Sequence, residues 1–268
     1  MPNISQFLDE HFAQEESEYT RLDGNVRYLD DSAIKRPQRM PLLHKLIALA
    51  IIAVGIVIGI IFLNNTVYET ARQAALAQES VENNLAREPS LATVPVLSEL
   101  ANMPDSDLIA NLEGRGYTIY NATTERNAGI NIYRVPADMS LSDAEIMYGR
   151  GISSLNASQA SRILNGSWNL GTSWESAYTI VVRYADFKAS NVEAAIASAM
   201  QQQGIDSATT EEAGIDDSGN NYQRGTLQAN GNAYTWRISA IALDDVYDIT
   251  GLPDQAFYVG IRLTQIIY

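Results

Sequence analysis

Beyond Lys45 the chain has no histidine and no cysteine, so any chemistry there rests on carboxylates, hydroxyls, eleven arginines and one lysine. That composition excludes a histidine base behind a serine nucleophile, a cysteine nucleophile and nearly all zinc sites. The lone lysine, Lys188, follows no Ser-x-x-Lys pattern and reads as a solvated residue at a strand-to-helix turn. Glycoside hydrolysis needs only two carboxylates. Glu145, Glu175 and Asp186 are the acids nearest aromatic residues, but nothing in their spacing brings two of them together. Asp216–Asn221 and Asp244–Asp248 offer oxygen ligands of the kind calcium takes. The first of these has its glycine at the fourth position and no glutamate at the twelfth, so both segments read as turns.

Phosphate loops of the glycine-rich kind are absent. Gly114-Arg-Gly116 closes a helix instead of opening one, the wrong polarity for an anion at a helix N-terminus. Trp168, Trp174 and Trp236, with fourteen tyrosines in the chain, could line a sugar- or peptide-binding face, though packing in a core or sheet is the first expectation. No catalytic, metal or cofactor-binding residue is assigned on these grounds, and the expected mode of action is binding, not catalysis.

The elements that would position such groups begin with Leu46–Leu63, eighteen residues without a charge or a hydrogen-bonding side chain. At ~1.5 Å per residue this stretch covers roughly 27 Å, and extension over 42–66 matches the bilayer core. It starts too late for a cleaved signal peptide. Lys35, Arg36, Arg39 and Lys45 precede it, so the N-terminus is expected inside the cell and the C-terminal part outside, as in an uncleaved signal anchor. Gly55 and Gly59 form a small-xxx-small pair that would let two such helices approach closely.

The flanking segments differ in charge. Residues 1–40 form an acidic tail in which Ile4, Phe7, Leu8 and Phe12 fall at helical spacing; Phe7, Leu8 and Phe12 would be the docking face if the tail engages a cytoplasmic partner. Residues 64–268 carry twenty-four acids against twelve bases, which disfavours nucleic acid and anionic lipid as partners. Thr66–Glu88 is rich in helix formers. Val67, Ala71, Ala74, Gln78, Val81 and Leu85 form a thin heptad seam, suited either to a homodimer or to a stalk lying on its own domain. Pro89 and Pro95 break the helix, so 67–103 reads as stalk and hinge.

In residues 104–268, helices are expected after Pro104, from a capping box at Ser142–Glu145, over Ala157–Leu164, and over 192–203 behind a capping box at Ser190–Glu193. Strands are expected over 117–120, 130–135, 178–184, 222–229, 233–243 and 257–266, with Asn230-Gly231 as a hairpin turn. The stretch 168–174 is ambiguous between strand and loop. A faint echo links Ile109–Gly116 with its following Ala-Thr-Thr-Glu to Ile196–Gly204 with its own. The fold class expected is an α+β extracytoplasmic domain with a mainly antiparallel sheet on a single transmembrane helix. The absence of cysteine points to a bacterial cell envelope, with a protein partner there. A transmembrane sensor using the tail and an envelope glycosidase are the alternatives.

Overall fold

A computed structural model describes residues 42–267. The tail segment with Phe7, Leu8 and Phe12 lies outside the described residues. The chain divides after Asn65 into two units.

The first unit is helix α1, Leu42–Leu63. Beyond His44 and Lys45 in its first turn, its side chains are apolar around the whole circumference, and none is buried. Among the described residues it is the one helix long and apolar enough to cross a membrane. No atom lies within 4 Å of a Cβ built at Gly55 or Gly59, so both glycines lie on an open flank of the helix.

The second unit opens with α2, Glu69–Leu85, reached through a π-helical turn at Asn64–Tyr68. A 3-10 turn at Ser90–Thr93 and the single-turn α3, Leu97–Leu100, lead to α4, Asp105–Gly114. Strands β1, Ile119–Asn121, and β2, Asn131–Arg134, are followed by helices α5, Leu141–Arg150, and α6, Ala157–Leu164. Strands β3, Asn169–Ser173, and β4, Thr179–Asp186, precede α7, Val192–Gln202. The chain ends in β5, Thr210–Ile215, β6, Asn221–Ala229, β7, Asn232–Ala242, and β8, Phe257–Gln265.

All eight strands form one antiparallel sheet in the order β1-β2-β3-β4-β8-β7-β6-β5. This order is unchanged when β1–β4 are exchanged with β5–β8, so two four-stranded halves meet along β4 and β8. Helices α4 and α7 each precede the first strand of their half, and they end alike. Gly116 and Gly204 are left-handed, at φ 87° and 66°, a region that a Cβ disfavours. The residue after each glycine donates its N–H back five residues, Tyr117 to Leu112 and Ile205 to Met200. The sequence echo thus falls on equivalent helices. Its second part does not: Ala122–Glu125 lies in the turn after β1, whereas Ala208–Glu211 enters β5.

Alternation along the strands turns one face of the sheet to a core. Ile132, Leu170, Ile180, Val182, Trp236, Ile238, Val259, Ile261 and Leu263 are buried beneath Leu97, Leu100, Leu108, Leu112, Ile196, Ala199 and Met200. Residues 88–103, read as a hinge, are instead built into this core through Val94, Leu97, Leu100 and Ala101. The prolines end the helix, but the apolar residues between them carry the chain across the sheet. Gln203 fastens the segment from α7, accepting the Leu97 N–H at 2.8 Å and donating to the Pro95 carbonyl at 3.0 Å. A second cluster, with Ala144, Ile163, Leu164 and Leu243, gathers α5, α6 and the segment after β7.

Helix α2 lies on its own domain. Val81 is buried, Ser80 Oγ meets Ser158 Oγ at 2.6 Å, and Asn84 Nδ2 donates to the Ser158 carbonyl at 2.9 Å. The upper part of the heptad seam is therefore used within the chain, while Val67, Ala71, Ala74 and Gln78 stay exposed. Lys188 Nζ donates to the Leu85 carbonyl at 2.9 Å, a cation at a helix C-terminus. Two expected caps are displaced. Helix α5 is capped by Ser140, which accepts from Asp143 N, not by Ser142; α7 is capped by Asn191, not Ser190. The stretch left ambiguous is β3, held between β2 and β4.

Candidate anion-binding face

The strand alternation that buries one face turns the other outward, and on it the pairing register sets side chains in rows. Arg224 of β6 is opposite Arg237 of β7, and Arg237 is opposite Arg262 of β8. The next row runs Tyr222, Ser239, Gly260, Arg183, Asn169, Tyr133. On the other side of the arginines lies a row of hydroxyls, Thr226, Thr235, Thr264, Thr179 and Ser173. Arg183 and Arg262 are diagonal neighbours on β4 and β8, because their register partners are Gly260 and Val181. Diagonal positions are roughly 7–8 Å apart at Cα, within reach of converging guanidinium groups.

Two of the four arginines have acidic partners. Arg224 pairs with Glu212 of the neighbouring edge strand. Arg237 Nη2 is 2.6 Å from Asp216 Oδ2, and its guanidinium carbon lies 4.0 Å from the centroid of the Tyr222 ring, a cation–π contact. Asp216 is itself held by Asn220, whose side chain and backbone N–H bond its Oδ1, and by the Ser218 N–H. These hydrogen bonds, the Asn220 side chain first, hold its carboxyl below the ordinary range, with Arg237 adding to the effect. The guanidinium groups of Arg183 and Arg262 form no hydrogen bond and no ion pair among the described residues. Burial pushes the Arg262 guanidinium below its ordinary value, and the charges of Arg183 and Arg237 push the same way.

Between these groups lies a cleft of about 320 Å³ bordered by Arg183, Arg237, Arg262, Ser239 and Gly260, with Asp216 as its one acid. Arg183 also borders a neighbouring hollow of about 360 Å³ toward Asn131 and Asn169, and a small cavity of about 30 Å³ toward Tyr133, Tyr148 and Tyr258. The tyrosines wall one end of the face. Tyr133 and Tyr148 are 4.2 Å apart at their centroids, and Tyr120 stacks on Tyr148 at 5.6 Å. Burial raises the hydroxyl pKa of Tyr133 and of Tyr258.

The residues singled out from sequence lie elsewhere. Glu145 and Glu175 are exposed, and Asp186 is buried with Oδ1 accepting the Lys188 and Ala189 N–H groups. None of the three borders the cleft. Asp216–Asn221 is a turn whose first carboxylate is taken up by Asn220, Ser218 and Arg237. Trp168 and Trp236 are core residues, while Trp174 is exposed and packs on Tyr178 at 4.4 Å. The arginine face escapes sequence reasoning because it joins strands far apart in the chain. A local signal exists: Val-Arg-Tyr at 182–184, Trp-Arg-Ile at 236–238 and Ile-Arg-Leu at 261–263 each set one arginine between apolar strand residues. Compared with family models, curated proteins and solved structures, the chain finds no match in any of the three.

Proposed function

We propose that this is a single-pass protein of a bacterial cell envelope, N-terminus in the cytoplasm, whose C-terminal unit acts outside by binding an anionic ligand on the open face of its sheet. The apolar helix α1 and the four basic residues before it support the anchoring and its direction. The observation that carries the binding reading is the pair Arg183 and Arg262, on an open sheet face with no acid to neutralise them. The part of the chain beyond the span is acidic overall, so a cluster of arginines there is not a by-product of a basic surface. Like charges on adjacent strands weaken a sheet, and a binding role accounts for them. The carboxylates weighed for glycoside hydrolysis do not border the cleft, which favours binding over catalysis.

The reading is tested by placing a photo-cross-linking side chain at Thr264, on the face beside Arg262, and separately at Glu145, in the full-length protein in its native membrane. Adducts are expected from position 264 alone, and they should vanish in the Arg183→Gln/Arg262→Gln background. No adduct at 264, or one indifferent to the arginines, overturns it.

A further inference from the structure

Three features narrow the ligand, an inference that rests on the reading of the open face as a binding surface. The first is charge. Glu212 and Asp216 neutralise Arg224 and Arg237, which leaves the two positive charges of Arg183 and Arg262 facing the cleft. The second is donor supply. Two guanidinium groups and the Ser239 hydroxyl together offer more N–H and O–H donors than a planar carboxylate can accept, and one arginine fork is enough for a carboxylate. A tetrahedral dianion with three terminal oxygens uses both forks. The third is access. Arg183 is opposite Gly260, so β8 sets no side chain beside it on that row, and the Ser239 hydroxyl, 3.3 Å from where a Cβ on Gly260 would lie, is left facing the cleft.

From these we infer that the cleft is a phosphate-ester site, in which Arg183 and Arg262 clamp one phosphoryl group and Ser239 donates to a third oxygen. The tyrosine wall, with Tyr258 at the cleft edge and Tyr133 beyond Arg183, receives the organic part of the ester. A volume of about 320 Å³ admits the phosphoryl group with a small polyol or sugar attached. Asp216 holds Arg237 beside the cleft and cancels its charge, so the clamp is matched to a dianion.

A terminal monoester supplies such a dianion and a diester within a polymer does not, and the assay separates the two. The full-length protein in detergent micelles is titrated calorimetrically at low salt with glycerol 1-phosphate, with glycerophosphoglycerol as the diester, and with acetate. Saturable binding of glycerol 1-phosphate is expected, at least about tenfold tighter than acetate. Each of Arg183→Gln and Arg262→Gln should weaken it about tenfold or more, as loss of a charged hydrogen-bond donor does. Arg126→Gln, which removes an exposed loop arginine, should leave it unchanged. A diester carries one negative charge and only two terminal oxygens, so tight binding of the diester alone overturns the dianion clamp. Acetate binding as tightly as either ester, no binding of either, or binding indifferent to both arginines overturns the inference. Thermal unfolding of each variant shows that lost binding is not lost folding. Cross-links at Thr264 that persist without competition by either ester would remove the phosphate inference and leave the binding reading standing; loss of both signals removes both.

Discussion

Arg237 and Arg262 are directly opposite each other across β7 and β8, two cations on neighbouring strands where an opposite pair would stabilise the sheet. Asp216 relieves Arg237, but Arg262 has no acid and has Arg183 as its diagonal neighbour on the other side. Cross-strand like charges cost roughly 0.2–1 kcal/mol. Arg262→Gln should therefore raise the unfolding free energy by about that amount while weakening anion binding, a gain in stability joined to a loss of function. Urea denaturation of the variant beside wild type measures this. A fall in stability would mean that the Arg262 stem packs to more effect than its charge repels.

The same row predicts a pH dependence. The Asp216 carboxyl is held below its ordinary value by the Asn220 side chain, by the Asn220 and Ser218 N–H groups and by Arg237. A carboxyl lowered on folding stabilises the folded state above its unfolded pKa, and that contribution is lost as pH falls through the folded value. Wild type should thus exceed Asp216→Asn in stability at neutral pH, and the gap should close in acid, below the ordinary carboxylate range. Melting both proteins from neutral pH down to strong acid gives the answer. A gap of constant size would show that Asp216 acts through hydrogen bonds that asparagine reproduces only in part.

Residues 88–103 belong to the core, and this has a measurable consequence. Gln203 is buried and satisfies the Leu97 N–H and the Pro95 carbonyl together. Gln203→Leu leaves both buried groups unpaired, at about 1–3 kcal/mol for each. Leu100 is fully buried beneath the sheet, and Leu100→Ala should cost about 2–5 kcal/mol. Were the segment a loose hinge, neither change would shift the denaturation midpoint beyond about 0.5 kcal/mol, the range of ordinary surface substitutions.

Gly225 of β6 marks a close crossing of chains. A Cβ there would lie 2.1 Å from the Thr209 carbonyl oxygen and 2.9 Å from the Trp236 ring. Backbone cannot yield as a flexible side chain does, so Gly225→Ala should destabilise by about 1–3 kcal/mol. Gly114, at the end of α4 with no atom near its Cβ position, is the control, and alanine there should stabilise by about 0.4–1 kcal/mol.

How much of this was legible in the sequence depended on how local each cause was. The helices Ala157–Leu164 and Val192–Gln202 were readable because apolar spacing and a nearby stop are local. Their caps were less so, since Ser140 and Ser142, or Ser190 and Asn191, are rival oxygens that only the path of the chain entering the helix decides. Strand β5 was hidden because Thr-Glu-Glu-Ala-Gly-Ile is polar edge sequence, stabilised by partners on β6 such as Arg224 and Tyr222. The pairing of β4 with β8, which brings Arg183 beside Arg262, joins residues about eighty positions apart and left no local trace. Alternation along β8 sets Arg262 opposite in face to Ile261 and Leu263, but without register the sequence does not tell which other arginines share that face.

The proposed orientation is open to a direct test because the chain has no cysteine of its own. A single cysteine at Ser106, exposed in the first turn of α4, would be the only thiol in that variant, and one at Asn25 would be the only thiol in another. If Lys35, Arg36, Arg39 and Lys45 hold the N-terminal flank inside, a membrane-impermeant maleimide should label Ser106→Cys in intact cells and Asn25→Cys only after lysis. Both variants should remain with the membrane fraction through alkaline extraction, as an apolar helix of 22 residues requires. The reverse labelling pattern would place the arginine face in the cytoplasm and exclude an envelope ligand. Release by alkali would mean that Leu42–Leu63 does not span the bilayer at all.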